Sequence, residues 1–249
     1  VAIEPALAHH ASRFHGAVYT PSEAAADCLK VCQSLERLLR ALGVRFLLGT
    51  PVQGLVRKSD RVVEVLTPAG PVHADAFVMA LGTGSRRLAA SLGLRVPVYP
   101  LKGYSITLDI PGGTEGGANV PRVNVTDAGK KIVFARIGQR LRVAGMAELV
   151  GEDRRISEER IAALVTATQE IFPQAGPFEN VSPWAGLRPA TPKGLPVLGR
   201  LPGGPANLLF NTGHGALGFT LAFGSAEHIA AALRPEAKPF AAGLAACSA

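Results

Sequence analysis

Leu208-Leu209-Phe210-Asn211-Thr212-Gly213-His214-Gly215-Ala216-Leu217-Gly218-Phe219-Thr220 is the stretch on which the reading of this chain turns. Its apolar start reads as a buried strand. Gly213 to Gly218 then matches G-x-G-x-x-G, and the pattern predicts a helix near Ala216–Leu233. A dinucleotide fingerprint also needs a following strand and an acidic residue within one βαβ unit. Beyond Gly218 the chain is mostly helix and an Ala-rich tail, which excludes an independent dinucleotide fold here. A helix start among small residues survives that test. Its N–H groups favour negative charge, and its glycines let a flat ring or phosphate approach the backbone. Tight packing of helix on strand explains the same glycines equally well.

Outward from this turn the chain reads as α/β at both ends and antiparallel sheet in the middle. The Pro21–Leu42 segment predicts a helix, opened by the capping pattern Thr20-Pro21-Ser22-Glu23 and closed by Gly43. Its apolar positions, Cys28, Val31, Cys32, Leu35, Leu38, Leu39 and Leu42, fall on one face, which predicts that both cysteines pack in the core. Strands are expected at Val44–Leu48, Val52–Arg57 and Arg61–Thr67, and Phe77–Leu81 reads as a buried strand ending at Gly82-Thr83-Gly84-Ser85. A short helix runs from there to Leu92. Further strands are expected at Tyr99–Ile110, Arg122–Thr126, Lys130–Ile137 and Arg140–Ala147. Ser157 caps a helix over Glu158–Phe172, and Pro173 stops it. Trp184–Arg188, Leu195–Leu198 and Leu208–Asn211 return as strands. Three stretches result: 1–95, mixed; 96–183, an antiparallel-sheet domain; and 184–249, a return to the first.

Composition narrows the function classes. Charged residues are only 18% of 249, which argues against disorder, and 28 glycines with 19 prolines imply many turns rather than a helical bundle. Net charge is +7, but the basic residues are scattered and aromatics are 6%. Neither the stripe nor the stacking platform of a nucleic-acid groove is present. An electropositive face toward small anions fits better. Cys28, Cys32 and Cys247 form an odd, sparse set that suits a reducing compartment. His9, His10 and His15 lack a second ligand pair at helical spacing, so no metal site is expected. The chain opens without a signal-peptide pattern, and the uncharged run 201–226 is broken by Gly203, Gly204, Pro205, Asn207, Asn211 and His214, unlike a membrane span. No G-x-S-x-G, H-E-x-x-H or P-loop appears. In Trp184-Ala185-Gly186-Leu187-Arg188-Pro189-Ala190-Thr191-Pro192, one arginine stands among apolar residues and prolines. Its planar fork suits a carboxylate ligand or a structural ion pair.

Taken in order, Glu4-Pro5-Ala6-Leu7, Gly43-Val44-Arg45-Phe46, Val78–Gly82, Pro100-Leu101-Lys102-Gly103-Tyr104-Ser105, Trp184–Pro192 and Asn211–Thr220 carry a resemblance. From about residue 4 to 230 the chain resembles the later part of the bacterial FAD-dependent D-amino acid dehydrogenases, of the D-amino acid oxidase superfamily. The resemblance implies a partial FAD-binding Rossmann-like domain with an antiparallel-sheet substrate domain. It also implies a member missing its first part, since that family's G-x-G-x-x-G strand lies near the N-terminus and nothing comparable precedes Glu4. By resemblance, the Val52 backbone contacts the adenine of FAD, and Leu81-Gly82 closes over the dinucleotide. Gly213, His214, Gly215, Leu217 and Gly218 face the flavin, Arg188 holds the substrate carboxylate, and Tyr104 is a pocket residue or a packed strand aromatic. No residue is implied as a catalytic acid or base. The implied activity is oxidative deamination of D-amino acids to 2-oxo acids and ammonia. The implied partners are a D-amino acid and a respiratory electron acceptor, in the cytoplasm or peripheral at the inner membrane. A glycine or sarcosine oxidase-like enzyme, or a non-catalytic remnant without its own flavin, are the alternatives. Departures at Pro21–Asp27, Ala216 and Phe219 bear on substrate preference.

Overall fold

The computed structural model describes residues 2–112 and 119–234; Cys247 lies outside them. The chain divides into two compact units, residues 1–44 with 102–187 and residues 45–101 with 188–249. In chain order the elements are α1 (Cys28–Ala41), β1 (Gly54–Lys58), β2 (Arg61–Thr67), β3 (Gly70–Val72), β4 (Phe77–Met79), α2 (Ser85–Ala90), β5 (Tyr99–Asp109) and β6 (Val125–Asp127). They continue with β7 (Ile132–Ile137), β8 (Arg140–Glu148), α3 (Glu158–Ile171), β9 (Ser182–Ala190), β10 (Val197–Gly199), β11 (Leu208–Thr212) and α4 (Ala222–Leu233).

The first unit is built on a five-stranded sheet in the order β6-β7-β8-β5-β9. The pairs β6·β7, β7·β8 and β5·β8 are antiparallel. Alternate residues of β5 and β8, including Ile106, Leu108, Leu141 and Val143, are buried and meet Leu164 and Ile171 of α3. This is the period of two meeting the period of 3.6. Phe134 and Phe172 close the core edge to face, with ring centroids 5.2 Å apart. Ser157 caps α3 as its sequence predicts, accepting from the Arg160 N–H. A 3₁₀ helix over Pro5–Arg13, not anticipated from the sequence, is anchored by buried Glu4, whose carboxylate accepts from the N–H groups of Ala6, Arg122 and Val123.

Helix α1 corrects two expectations. It starts at Cys28 rather than Pro21: Pro21-Ser22 form an isolated turn, closed by the Glu23 N–H donating to Thr20 O, and Asp27 is the cap, accepting from the N–H groups of Leu29 and Lys30. Two competing caps lie seven residues apart, and the helix forms behind the second although Glu23-Ala24-Ala25-Ala26 behind the first are strong helix formers, so local propensity does not set its start. Its apolar face is also exposed rather than core. Cys28 and Cys32 are exposed free thiols, and Leu29, Leu38 and Leu42 are 62%, 56% and 71% exposed. Periodicity says which side is apolar but not whether anything covers it. The helix does end at Gly43, at φ +84°, with the Val44 N–H returning to Leu39 O. Val44–Leu48, expected as a strand, is not one.

The second unit holds two three-stranded sheets, β1-β2-β3 and β10-β11-β4. In the latter, β10·β11 is antiparallel, whereas β11 and β4 pair in parallel with Leu208 opposite Phe77 and Phe210 opposite Met79. Val62, Met79, Leu94, Val96, Val98, Leu208 and Phe210 share its core. Buried Asn207 stitches the two sheets: its Oδ1 accepts from Val62 N–H at 2.8 Å, and its Nδ2 donates to Val62 O and Asp75 O. An amide is well suited to this, because it offers acceptor and donor to an edge that would otherwise bury unpaired peptide groups.

Candidate functional site: a glycine cradle and an arginine segment

Because β4 and β11 run in parallel, the turns after them emerge at the same end of the sheet. In open α/β sheets that end is where ligands sit. One turn is Leu81-Gly82-Thr83-Gly84, a 3₁₀ turn leading into α2; the other is Gly213 to Gly218, with a 3₁₀ turn at Gly215–Leu217. Buried Thr212 laces them: its Oγ1 donates to Gly82 O at 3.1 Å and receives the Ser85 hydroxyl at 3.2 Å. The regular helix α4 begins at Ala222 rather than near Ala216: Gly215–Leu217 form the 3₁₀ turn and residues 218–221 a further turn before it.

The glycines in these turns do different work. A methyl group added at Gly213 (φ +82°) would lie 2.7 Å from the Thr191 methyl, so this glycine exists for packing. One added at Gly215 would meet nothing within 4 Å, and one at Gly82 (φ +56°) only the Pro189 ring at 3.9 Å. Those two keep a left-handed backbone beside open space. Around them Leu81, Leu217 and Phe219 are 45%, 53% and 42% exposed. The Asn211 side-chain carbonyl, at the end of β11, is buried and accepts from no donor, an imbalance that marks a place for a ligand donor. His214 Nε2 is hydrogen-bonded to buried Ser225 Oγ at 2.9 Å, which ties the turn to α4. Burial holds the imidazole below its ordinary pKa, so the neutral form prevails at neutral pH.

The segment Arg188–Pro192 runs along both turns. Pro189 faces Gly82 and Thr191 faces Gly213, and the Thr191 hydroxyl donates to Leu195 O at 2.7 Å, fixing the bend after it. Arg188, next to Pro189, is half-buried, and loss of solvent pushes its guanidinium below its ordinary pKa, though far from neutralising it. Val52 lies in the irregular segment before β1, half-buried.

Tyr104 sits in the first unit and is 1% exposed. Its hydroxyl donates to Glu148 Oε2 at 2.7 Å, and Glu148 Oε1 accepts from Arg160 Nε at 2.7 Å. The Lys102 ammonium lies 5.1 Å from the Tyr104 ring centroid and 3.4 Å from Asp153. The Tyr104 hydrogen bond, and then Arg160, hold the Glu148 carboxyl below its ordinary value. The Arg155 guanidinium does the same, more strongly, for Asp153. Sequence reading does not single out Lys102, Glu148, Asp153 or Arg160; the one signal it offers is a lysine in a strand that carries no other charge before Asp109.

Among the described residues no helix is long and apolar enough to cross a membrane. The sequence of residues 1–232 matches the family described as FAD dependent oxidoreductase. A protein named D-amino acid dehydrogenase 2 from Ralstonia nicotianae is 46% identical over 237 residues, which is 92% of this chain and 55% of that protein. D-amino acid dehydrogenase from Paramagnetospirillum magneticum is 41% identical over 229 residues, 92% of this chain and 53% of that one. The crystal structure of iminodiacetate oxidase from Chelativorans sp. BNC1 matches 81% of this chain and 53% of its own at 27% identity and a TM-score of 0.70. The chain spans about half the length of the curated relatives it matches.

Proposed function

The chain belongs to the FAD dependent oxidoreductase family, and from that membership we propose that it forms the flavin-facing and substrate-binding part of an enzyme that oxidises D-amino acids. When bound, FAD would take up the α-hydrogen of the substrate as hydride, leaving an imino acid that water hydrolyses to a 2-oxo acid and ammonia. The residues present fit that group. Gly82 and Gly215 present left-handed backbone to open space, the Asn211 carbonyl awaits a donor, and Leu81, Leu217 and Phe219 supply exposed apolar surface for a flat ring. Gly82 and Leu81 on one turn, and Gly213, His214, Gly215, Leu217 and Gly218 on the other, would hold the cofactor, with Val52 toward its adenine end.

Arg188 would bind the substrate carboxylate through its two-pronged guanidinium, which distinguishes an amino acid from a plain amine. The observation that supports this is that the segment carrying Arg188 packs on both glycine turns through Pro189 and Thr191. For Tyr104, buried with its hydroxyl donating to Glu148, we favour the packed strand aromatic over the pocket residue. The relatives at 41–46% identity are named for D-amino acids, which favours that substrate class over the secondary amine named for the 27% structure. Their description as dehydrogenases supports an acceptor other than oxygen, which we take to be a respiratory carrier. A cytoplasmic enzyme peripheral at the inner membrane suits that acceptor. The test is kcat/KM for D-amino acids against their L-enantiomers in the flavin-loaded enzyme containing these residues. Turnover of D-amino acids that Arg188→Ala removes, with flavin retained, is expected. Turnover indifferent to Arg188 defeats the reading.

A further inference from the structure

The second unit carries another recess, a cleft of about 560 Å³ bordered by Arg86, Arg95, Val96, Pro97, Tyr99 and Pro192. Its floor is rigid core: Val96 and Val98 are each 2% exposed and belong to the same cluster as Phe210. Tyr99, 42% exposed, leaves much of its ring uncovered. Two arginines are among the residues that line this recess, and no acidic residue is.

The arginines supply the charge. Elsewhere in this unit Arg57, Arg61 and Arg200 donate to backbone carbonyls, whereas Arg45 and Arg87 have no side-chain partner among the described residues; what sets Arg86 and Arg95 apart is that both border one cleft. Among the described residues, neither Arg86 nor Arg95 has a hydrogen-bond or ion-pair partner. Two like charges beside one low-dielectric wall repel each other, and an anion bound between them reverses the sign of that interaction. The volume lies within the range of small-molecule sites, roughly 300–1,000 Å³. A wall of valine, proline and tyrosine contributes binding only to a ligand with apolar surface to bury.

We propose that this cleft binds a small organic anion with a flat apolar body, of the aryl carboxylate class. Its carboxylate would face Arg86 and Arg95, and its ring would lie against Val96, Pro97 and Tyr99. Pro192 directly follows the segment that carries Arg188 and Thr191, so an occupant would touch the far end of that segment. The proposal stands on the cleft alone and is independent of the activity proposed above.

The probe is 2-naphthoate, followed by its own fluorescence anisotropy on the 249-residue chain. The uncharged 2-naphthamide is its control for charge, and sulfate its control for apolar contact. The expected result is saturable one-to-one binding that weakens as salt rises. The amide should bind about 10-fold more weakly or worse, and the Arg86→Gln, Arg95→Gln double variant should lose about 10-fold, as expected for lost charge-assisted hydrogen bonds. Both arginines are exposed, and an unchanged circular dichroism spectrum verifies the fold of the double variant. Arg188→Gln should leave the affinity untouched. Absence of binding, equal binding of acid and amide, or parent-like binding by the double variant overturns the proposal. Displacement by sulfate at concentrations comparable to the probe reduces the cleft to a bare basic patch and also overturns it. Loss of binding in Arg188→Gln alone assigns the probe to the other site, with the same consequence.

Discussion

Two polar arrangements in this protein invite comparison. In the first unit, Lys102, Tyr104, Glu148, Asp153 and Arg160 form a network in which each charge has an opposite charge or a hydroxyl beside it. In the second, Gly82 and Gly215 leave backbone in left-handed conformation facing open space, and a buried Asn211 carbonyl stands without a donor. The network is finished within the fold; the cradle is not. A satisfied buried network fixes one conformation, whereas an unfinished one carries a cost that a ligand can remove. Satisfaction rather than burial separates these two arrangements, although Ser105 Oγ, on β5 beside Tyr104, is also buried without a partner.

The sharpest way to break this comparison lies inside the cradle itself. Gly213→Val adds a β-branched side chain at positive φ against the Thr191 methyl, and strain plus overpacking should cost roughly 4 kcal/mol of stability, read as a large fall in Tm. Gly215→Val meets no neighbour and should cost only about 1–3 kcal/mol of backbone strain while impairing flavin retention in the loaded enzyme. Equal losses from both would erase the distinction between the packed and the open glycine.

Next in size is Arg188. Arg188→Ala removes a charge-assisted fork and should cost about 1.5–3 kcal/mol of substrate binding, roughly 10- to 150-fold in kcat/KM. Arg188→Lys should lose less, and flavin content should hold in both. Loss of flavin together with activity would make Arg188 part of the scaffold. Tyr104→Phe should be milder, about 1 kcal/mol by urea denaturation, because Glu148 keeps Arg160. A fall in kcat/KM far beyond that would show that the hydroxyl works on substrate rather than on the sheet.

The smallest effect is on acid stability. The folded state holds Glu148 below its ordinary carboxyl pKa of 4.5, so its contribution is complete at neutral pH and fades as pH falls through the folded value. Glu148→Gln should flatten the stability profile in that acid range while leaving the profile above about pH 6 parallel to the parent. An unchanged acid limb would mean that the carboxylate is not ionised in the network.

The antiparallel part of the fold is legible in the sequence because its signals are local. Arg61–Thr67 and the Ser157 cap stand where alternation and capping chemistry place them. The cradle is legible only as composition. G-x-G-x-x-G cannot say that Gly213 serves packing and Gly215 does not, since the deciding atom belongs to Thr191. Nor can any local pattern reveal that Phe77–Met79 pairs in parallel with Leu208–Phe210, or that Pro189 meets Gly82. The exposed face of α1 misleads for a different reason: hydrophobic spacing reports a preference to be covered, and nothing among the described residues covers it.

The bond from Thr212 to the Gly82 carbonyl joins positions 130 residues apart in the chain. On a ribosome adding roughly 5–20 residues per second, β4 would leave the tunnel on the order of ten seconds before its partner strand exists. During that interval the whole β5-to-β9 sheet can form from contiguous chain, while Phe77-Val78-Met79 waits with an unpaired apolar edge. Since β4 stands at the edge of its sheet, pairing with β11 closes one of its two edges, and any pause in translation between residues 80 and 208 prolongs the interval in which both are open.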